Sequence, residues 1–183
     1  QYEEARKKLE EMPGIGARSS QVILAEIGLD MSRFPTAGHL AAWAGLAPGN
    51  NESAQRRKHG RTRKGNPTLK TTLIQCAKTA KAKKGSFFKA QFDRLAVRRG
   101  KNRAVVAVAH SMLIAIYHML KFNTPFIDLG ENYYCQFNPE KKISHHLKQL
   151  QKLGWQCPIP AWSDIARHFS IGIVRPFRLI WAP

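Results

Sequence analysis

Apolar positions along this chain recur at helical rather than alternating spacing. Residues 1–11 are rich in helix formers, with Glu3 and Glu4 each four positions before Lys7 and Lys8. Pro13-Gly14-Ile15-Gly16 interrupts the period, which resumes over 17–27 with Val22, Leu24, Ala25 and Ile27 as the apolar set. Thr36 is placed to cap a short helix over 37–44. From 45 to 65 no period is sustained, and Pro48-Gly49-Asn50-Asn51 marks a long loop, a length that inside a domain points to function or disorder. Pro67 occupies a first helical position with Asn66 as its cap, and that helix runs to about Lys83. Gly85 separates it from a helix over 86–99, whose Phe87, Phe88, Phe92 and Leu95 form a core stripe and which Gly100 ends. A helix over 102–121 follows, and a polar connection over 125–134 leads to a last amphipathic helix over 139–153, stopped by Gly154.

The most apolar stretch is AVVAVAHSMLIAIYHML, over 104–120. It contains His110, Ser111 and His118 and falls short of the roughly 20 apolar residues of a membrane span. It reads as a buried core helix, and no membrane partner is expected. There is no internal repeat and no strong strand pattern. The expected fold is all-α: a helical domain over 1–154 with a helix-hairpin-helix at about 1–27, a basic loop at 45–66, a helical core at 67–121 and the last helix at about 139–153. In the helix-hairpin-helix reading, Gly14 and Gly16 permit a tight turn that brings backbone N–H groups at the second helix's start to a phosphate. A plain helical hairpin packed on the core is the alternative.

Beyond Gly154 the character changes. Residues 155–183 hold three of the four tryptophans and four of the ten prolines, without a helical period. A docking tail and a reading frame shifted after Gly154 are the competing expectations, and the compositional break favours the second. The chain opens at Gln1 within a charged, helix-like segment, so a longer parent protein is expected.

Charge sharpens the picture. The net charge is +18, and 17 lysines and arginines stand against a single acid, Asp93, between Gln55 and Arg103. A block of that sign is a footprint for a polyanion, nucleic acid before membrane. Cys76, Cys135 and Cys157 form no metal-ligand spacing and no disulfide framework, so no metal site is expected and a reducing cytoplasmic compartment fits.

One hydroxyl, Ser53, lies at the edge of the densest run: Arg56, Arg57, Lys58, Arg61, Arg63 and Lys64. A serine is a poor nucleophile at neutral pH and needs a base, a metal or a positive field. Arg56, Arg57 and Lys58 can clamp a phosphate and stabilise charge growing on its oxygens. His59 is near enough to take a proton, although a lone loop histidine is more often only exposed. Arg61, Arg63, Lys64 and Lys70 suit backbone contacts. Lys78, Lys81 and Lys84 recur at i, i+3, i+6 and are expected to share one helix face that tracks phosphates. Ser19, Ser20 and Ser111 fall within helices and suit surface or core instead.

The ordered blocks PGIG, AEIGLDMSRFPTAGHLAAWAGLAPGNNESA, GRTRKGNPTLKTTLIQCA and RRGKNRAVVAVAHSML resemble the C-terminal transposase domain of the insertion-sequence family 110/116/902 over about 9–154. The resemblance implies a two-part enzyme. An N-terminal RuvC-like domain, absent from this chain, holds Mg²⁺ with acidic residues, and the C-terminal domain brings a serine nucleophile. Together they exchange DNA strands at sites chosen by a structured guide RNA, in a homo-oligomer acting in the bacterial cytoplasm at the nucleoid. The family's serine follows the GLxP element and falls on Ser53 here, where Ala54 replaces the usual glycine. This chain alone is then half of an active site, and no cofactor is expected on it. The competing expectations are a non-catalytic nucleic-acid-binding module and an inactive mobile-element remnant.

Overall fold

The computed structural model describes residues 1–47, 62, 64–136 and 139–154, and for 52–53, 56–57, 135–136 and 139–142 the backbone alone. The remaining residues, 155–183 among them, lie outside the described structure. The chain divides into a unit Gln1–Phe137 and a unit Asn138–Pro183. Its architecture is all-α. The first unit contains α1 (Tyr2–Glu10), α2 (Ala17–Ile27), a 3₁₀ turn at Met31–Arg33, α3 (Ala37–Trp43), α4 (Pro67–Ala80), α5 (Phe87–Arg99), α6 (Lys101–Phe122) and α7 (Tyr133–Gln136). Two short strands, β1 (Glu52–Ser53) and β2 (Arg56–Arg57), form an antiparallel ladder within the stretch expected to be loop.

The helices begin where local chemistry starts them. Thr36, Asn66 and Ser86 each place a side-chain oxygen on a backbone N–H three residues on, those of His39, Leu69 and Lys89. Pro67 then opens α4, where its missing N–H costs nothing. Gly100 ends α5 with φ 84°.

α6 is the centre of the core. Ala104, Val105, Val108, Ala109, Met112, Leu113, Ile116, Tyr117 and Met119 are buried along it. α3, α4 and α5 pack around it, and α2 packs on α4 and α1. By length and composition α6 is apolar enough to cross a membrane. Four helices, α1 among them, and the 3₁₀ turn pack on it instead, and each large side chain fully buried there contributes about 1.5–3 kcal/mol. Tyr117 is 2% exposed, and its hydroxyl donates to the carbonyls of Phe34 (3.0 Å) and Pro35 (3.3 Å), tying the approach to α3 onto α6.

Three expectations need correction. The buried face of α2 is Ser20, Ile23, Leu24 and Ile27, while Ala25 is exposed, because the face repeats at three and four residues. α4 stops at Ala80, with Lys81 as its C-cap still in helical geometry, not near Lys83, so Lys84 does not continue a helical stripe from Lys78. The chain turns there through Gly85 (φ 75°), with Ser86 Oγ donating to Lys83 O. Lys81 Nζ instead lies 4.6 Å over the Phe92 ring. The polar connection over 125–134 also runs into α7, where Phe87 stacks on Tyr134 and meets Tyr133 edge-on.

In the second unit only α8 (Pro139–Lys152) and the turn to Gly154 are described, with Ile143, Leu150 and Leu153 exposed.

Candidate nucleic-acid interface

The basic loop leaves and rejoins the helical body at a single point. At its start, Leu46 is 2% exposed, and the amides of Leu46 and Ala47 both donate to Ala41 O, at 2.9 and 3.1 Å. At its end, Gly65 lies against the same backbone. A Cβ there would come within 2.3 Å of Gly45 N and 2.5 Å of Ala44 C, so no side chain fits. Gly45 itself takes φ 71°. The next residue closes the base: Asn66 N–H donates to Trp43 O at 3.3 Å.

Asn66 also works through both ends of its amide. Its Oδ1 accepts the Leu69 N–H at 3.0 Å, capping α4, and its Nδ2 donates to Glu26 Oε2 at 2.6 Å. Thus one residue ties α2, α3 and α4 together where the loop returns. Lys70 Nζ donates to Thr62 Oγ1 at 3.1 Å, a further link from α4 to the loop's last part. Lys64 is exposed and Lys70 half-buried.

Farther out, Ser53 pairs with Arg56 and Glu52 with Arg57. Partners in such a ladder stand about 4.5–5.5 Å apart between Cα atoms. The expected nucleophile therefore lies directly across the ladder from the first arginine of the basic run. Lys58, His59, Arg61 and Arg63 are outside the described residues, as are the side chains of Ser53, Arg56 and Arg57.

The PGIG turn is set into the core. Met12 and Ile15 are buried, and a Cβ on Gly14 would sit 2.4 Å from Cys76 O and 2.7 Å from Ala80 N. Gly14 also takes φ 89°. Its glycine is required by close contact with α4. Gly16 differs: it is exposed, a Cβ there meets nothing within 4 Å, and it opens α2 with no side-chain cap. Ser20 is buried, its Oγ 2.8 Å from Ala17 O and 3.2 Å from Glu10 Oε1. Ser111 receives the Gln91 amide at 2.7 Å.

Lys78 and Lys84 are exposed and Lys81 half-buried. The far end of the charge block, Arg98, Arg99, Lys101 and Arg103, is exposed at the corner between α5 and α6. No group of three or more His, Cys, Asp or Glu that could hold a metal occurs among the described residues. Burial pushes the Cys76 thiol up, away from the thiolate.

Sequence reading missed Glu26, Trp43 and Gly45 as parts of the loop's base. Asn66, the partner of Glu26 and Trp43, is 40 positions from Glu26, and no local pattern joins the two.

Residues 6–93, covering the hairpin, the loop and most of α5, match the model of the transposase IS116/IS110/IS902 family. Over these residues the chain is similar to that family. It is 34% identical over 119 residues to the insertion element IS110 uncharacterized 43.6 kDa protein of Streptomyces coelicolor, covering 63% of this chain and 29% of that protein. It is 31% identical over 122 residues to the transposase for insertion sequence element IS1111A of Coxiella burnetii, covering 62% and 32% respectively. A pilin gene-inverting protein of Moraxella bovis is 28% identical over 118 residues, covering 63% and 36%. The chain thus spans about a third of the length of these curated relatives.

Proposed function

We propose that this chain is the nucleic-acid-gripping, strand-transferring part of an insertion-sequence transposase, with Ser53 as nucleophile. The observation that carries the reading is the ladder register, Ser53 opposite Arg56, on a loop whose base is pinched between Gly45 and Gly65. The family match over 6–93 supports it, as do relatives named for transposition and for gene inversion, both rearrangements of DNA.

In this reading Ser53 Oγ attacks a DNA phosphorus as its proton leaves to a base. The bond from phosphorus to the 3′ oxygen breaks, and that oxygen keeps the electron pair and takes up a proton. A serine–phosphate ester and a free 3′ hydroxyl result. The ester conserves the bond energy, so the reverse attack by another 3′ hydroxyl rejoins strands without an added energy source. Arg56, Arg57 and Lys58 stabilise charge on the phosphate oxygens, and Arg61, Arg63, Lys64, Lys70 and Lys78 hold the backbone. The uncapped start of α2 at Gly16, beside exposed Arg18, supports a backbone contact there. Mg²⁺, when bound by a RuvC-like domain, lowers the cost of charge at the phosphate. Sequence choice belongs to a structured RNA, and the working form is a homo-oligomer at the nucleoid.

The test is a nicked DNA substrate that traps the covalent intermediate, incubated with the full-length enzyme and its RNA. We expect a protein–DNA adduct that Ser53→Ala abolishes while DNA affinity is retained. An adduct that survives Ser53→Ala would remove Ser53 as nucleophile.

A further inference from the structure

We propose that Asn66 is a positioning residue: its hydrogen bond to Glu26 holds the basic loop in register on the helical body, beyond capping a helix. The catalytic consequence rests on the reading of Ser53 above, whereas the clamp itself does not.

A cap alone does not explain Asn66. Capping α4 needs only an acceptor, and Asp or Ser would serve as well. An amide carries its acceptor and its donor on two separate atoms, so one short side chain reaches two partners lying in different directions. Both are used, Oδ1 on Leu69 N–H and Nδ2 on Glu26 Oε2. The amide's orientation is fixed by its neighbours, since the opposite one would set oxygen against carboxylate and N–H against N–H.

Glu26 points the same way. It lies in the last turn of α2, where the helix dipole disfavours an anion. It is half-buried and has no ion-pair partner among the described residues. Helix propensity gives no reason for an acid there, but the Asn66 amide does, through a 2.6 Å bond to an ionised acceptor.

The clamp acts at the point that fixes the loop. Asn66 follows Gly65, whose backbone touches Gly45, and its own N–H reaches Trp43 O. Shifting Asn66 separates Gly65 from Gly45 and lets the loop's two ends slide past one another. A two-residue ladder has few bonds of its own with which to resist such a slip.

The experiment is a polarity swap. Asn66→Asp keeps the cap oxygen but sets carboxylate against carboxylate at Glu26. Adding Glu26→Gln restores one donor and one acceptor, reversed. For each purified chain, tryptic cleavage within 56–64 is timed by mass spectrometry, and melting temperature is followed in parallel. We expect about tenfold faster loop cleavage in Asn66→Asp, from the loss of a charge-assisted bond, with little change in melting. The double variant should return to near the original rate, and Glu26→Gln alone, whose side-chain oxygen still accepts from Asn66, should stay close to it. Unchanged cleavage in Asn66→Asp overturns the proposal. So does a double variant cut as fast as Asn66→Asp, or a rate that only tracks melting temperature.

In the full-length enzyme, adduct formation should follow the same order, with the loss in rate rather than in DNA affinity. A Ser53→Ala enzyme that still forms the adduct would sink the nucleophile while the tryptic pattern continued to judge the clamp.

Discussion

Gly14 and Gly16 stand two residues apart in one turn, yet the structure gives them opposite sensitivities. Gly14 has φ 89°, and an added Cβ would lie 2.4 Å from Cys76 O, 2.7 Å from Ala80 N and 2.9 Å from Ala80 Cβ. Two of these three neighbours are α4 backbone, which cannot swing aside. Left-handed backbone costs an L residue about 1–2 kcal/mol, and forcing a methyl into packed surroundings adds about 1–3 kcal/mol. Gly14→Ala should therefore lose about 2–5 kcal/mol. At about 2–4 °C per kcal/mol for a domain somewhat larger than this unit, melting should fall by about 5–20 °C. Gly16 has φ −105° and open space around its Cα. Gly16→Ala there should cost no more than about 1 kcal/mol, the penalty of alanine at a helix cap. Thermal melting by circular dichroism, with duplex-DNA affinity measured on both variants, separates packing from phosphate binding. A Gly14→Ala chain melting within about 2 °C of the original would refute the packing argument. A Gly16→Ala chain with unchanged DNA affinity would remove the start of α2 from the interface.

Other outcomes follow from the charge and the half-buried imidazoles. Replacing Arg56, Arg57 and Arg61 together with glutamine should weaken nucleic-acid binding and flatten its salt dependence, by about 0.9 per lost phosphate contact on a log–log plot for duplex DNA; an unchanged slope would remove those residues from the interface. Burial pushes the His110 imidazole down, and burial followed by the nearby Lys121 charge does the same for His118. The unfolded chain then takes up these protons first, so folding stability should fall as pH drops below about 6.5. Denaturant titrations at pH 7 and pH 5 should show that loss reduced in His110→Gln, and an undiminished loss would remove His110 as its source.

What the sequence determined by itself is the part written in local chemistry. Thr36 and Asn66-Pro67 announce helix starts through groups within three residues of them, Gly100 marks the end of α5, and the period over 104–120 marks α6 as the helix the others bury. The density of cations around Ser53 is equally a property of neighbours in sequence. Extrapolating a local rule past its end failed at Lys84, because three-residue spacing assumes a helix that stops at Ala80 with Lys81 as its cap. Nothing local could pair Asn66 with Glu26, press Gly65 onto Gly45, or set Gly14 against Cys76 and Ala80. Those contacts join residues far apart along the chain. Each depends on how α3 and α4 come to rest on α6, and α2 on α4, which is decided by the burial of whole faces rather than by any one residue's preference. The chemistry expected of the loop was therefore legible from its residues, while the frame that holds the loop's two ends together is a product of tertiary packing.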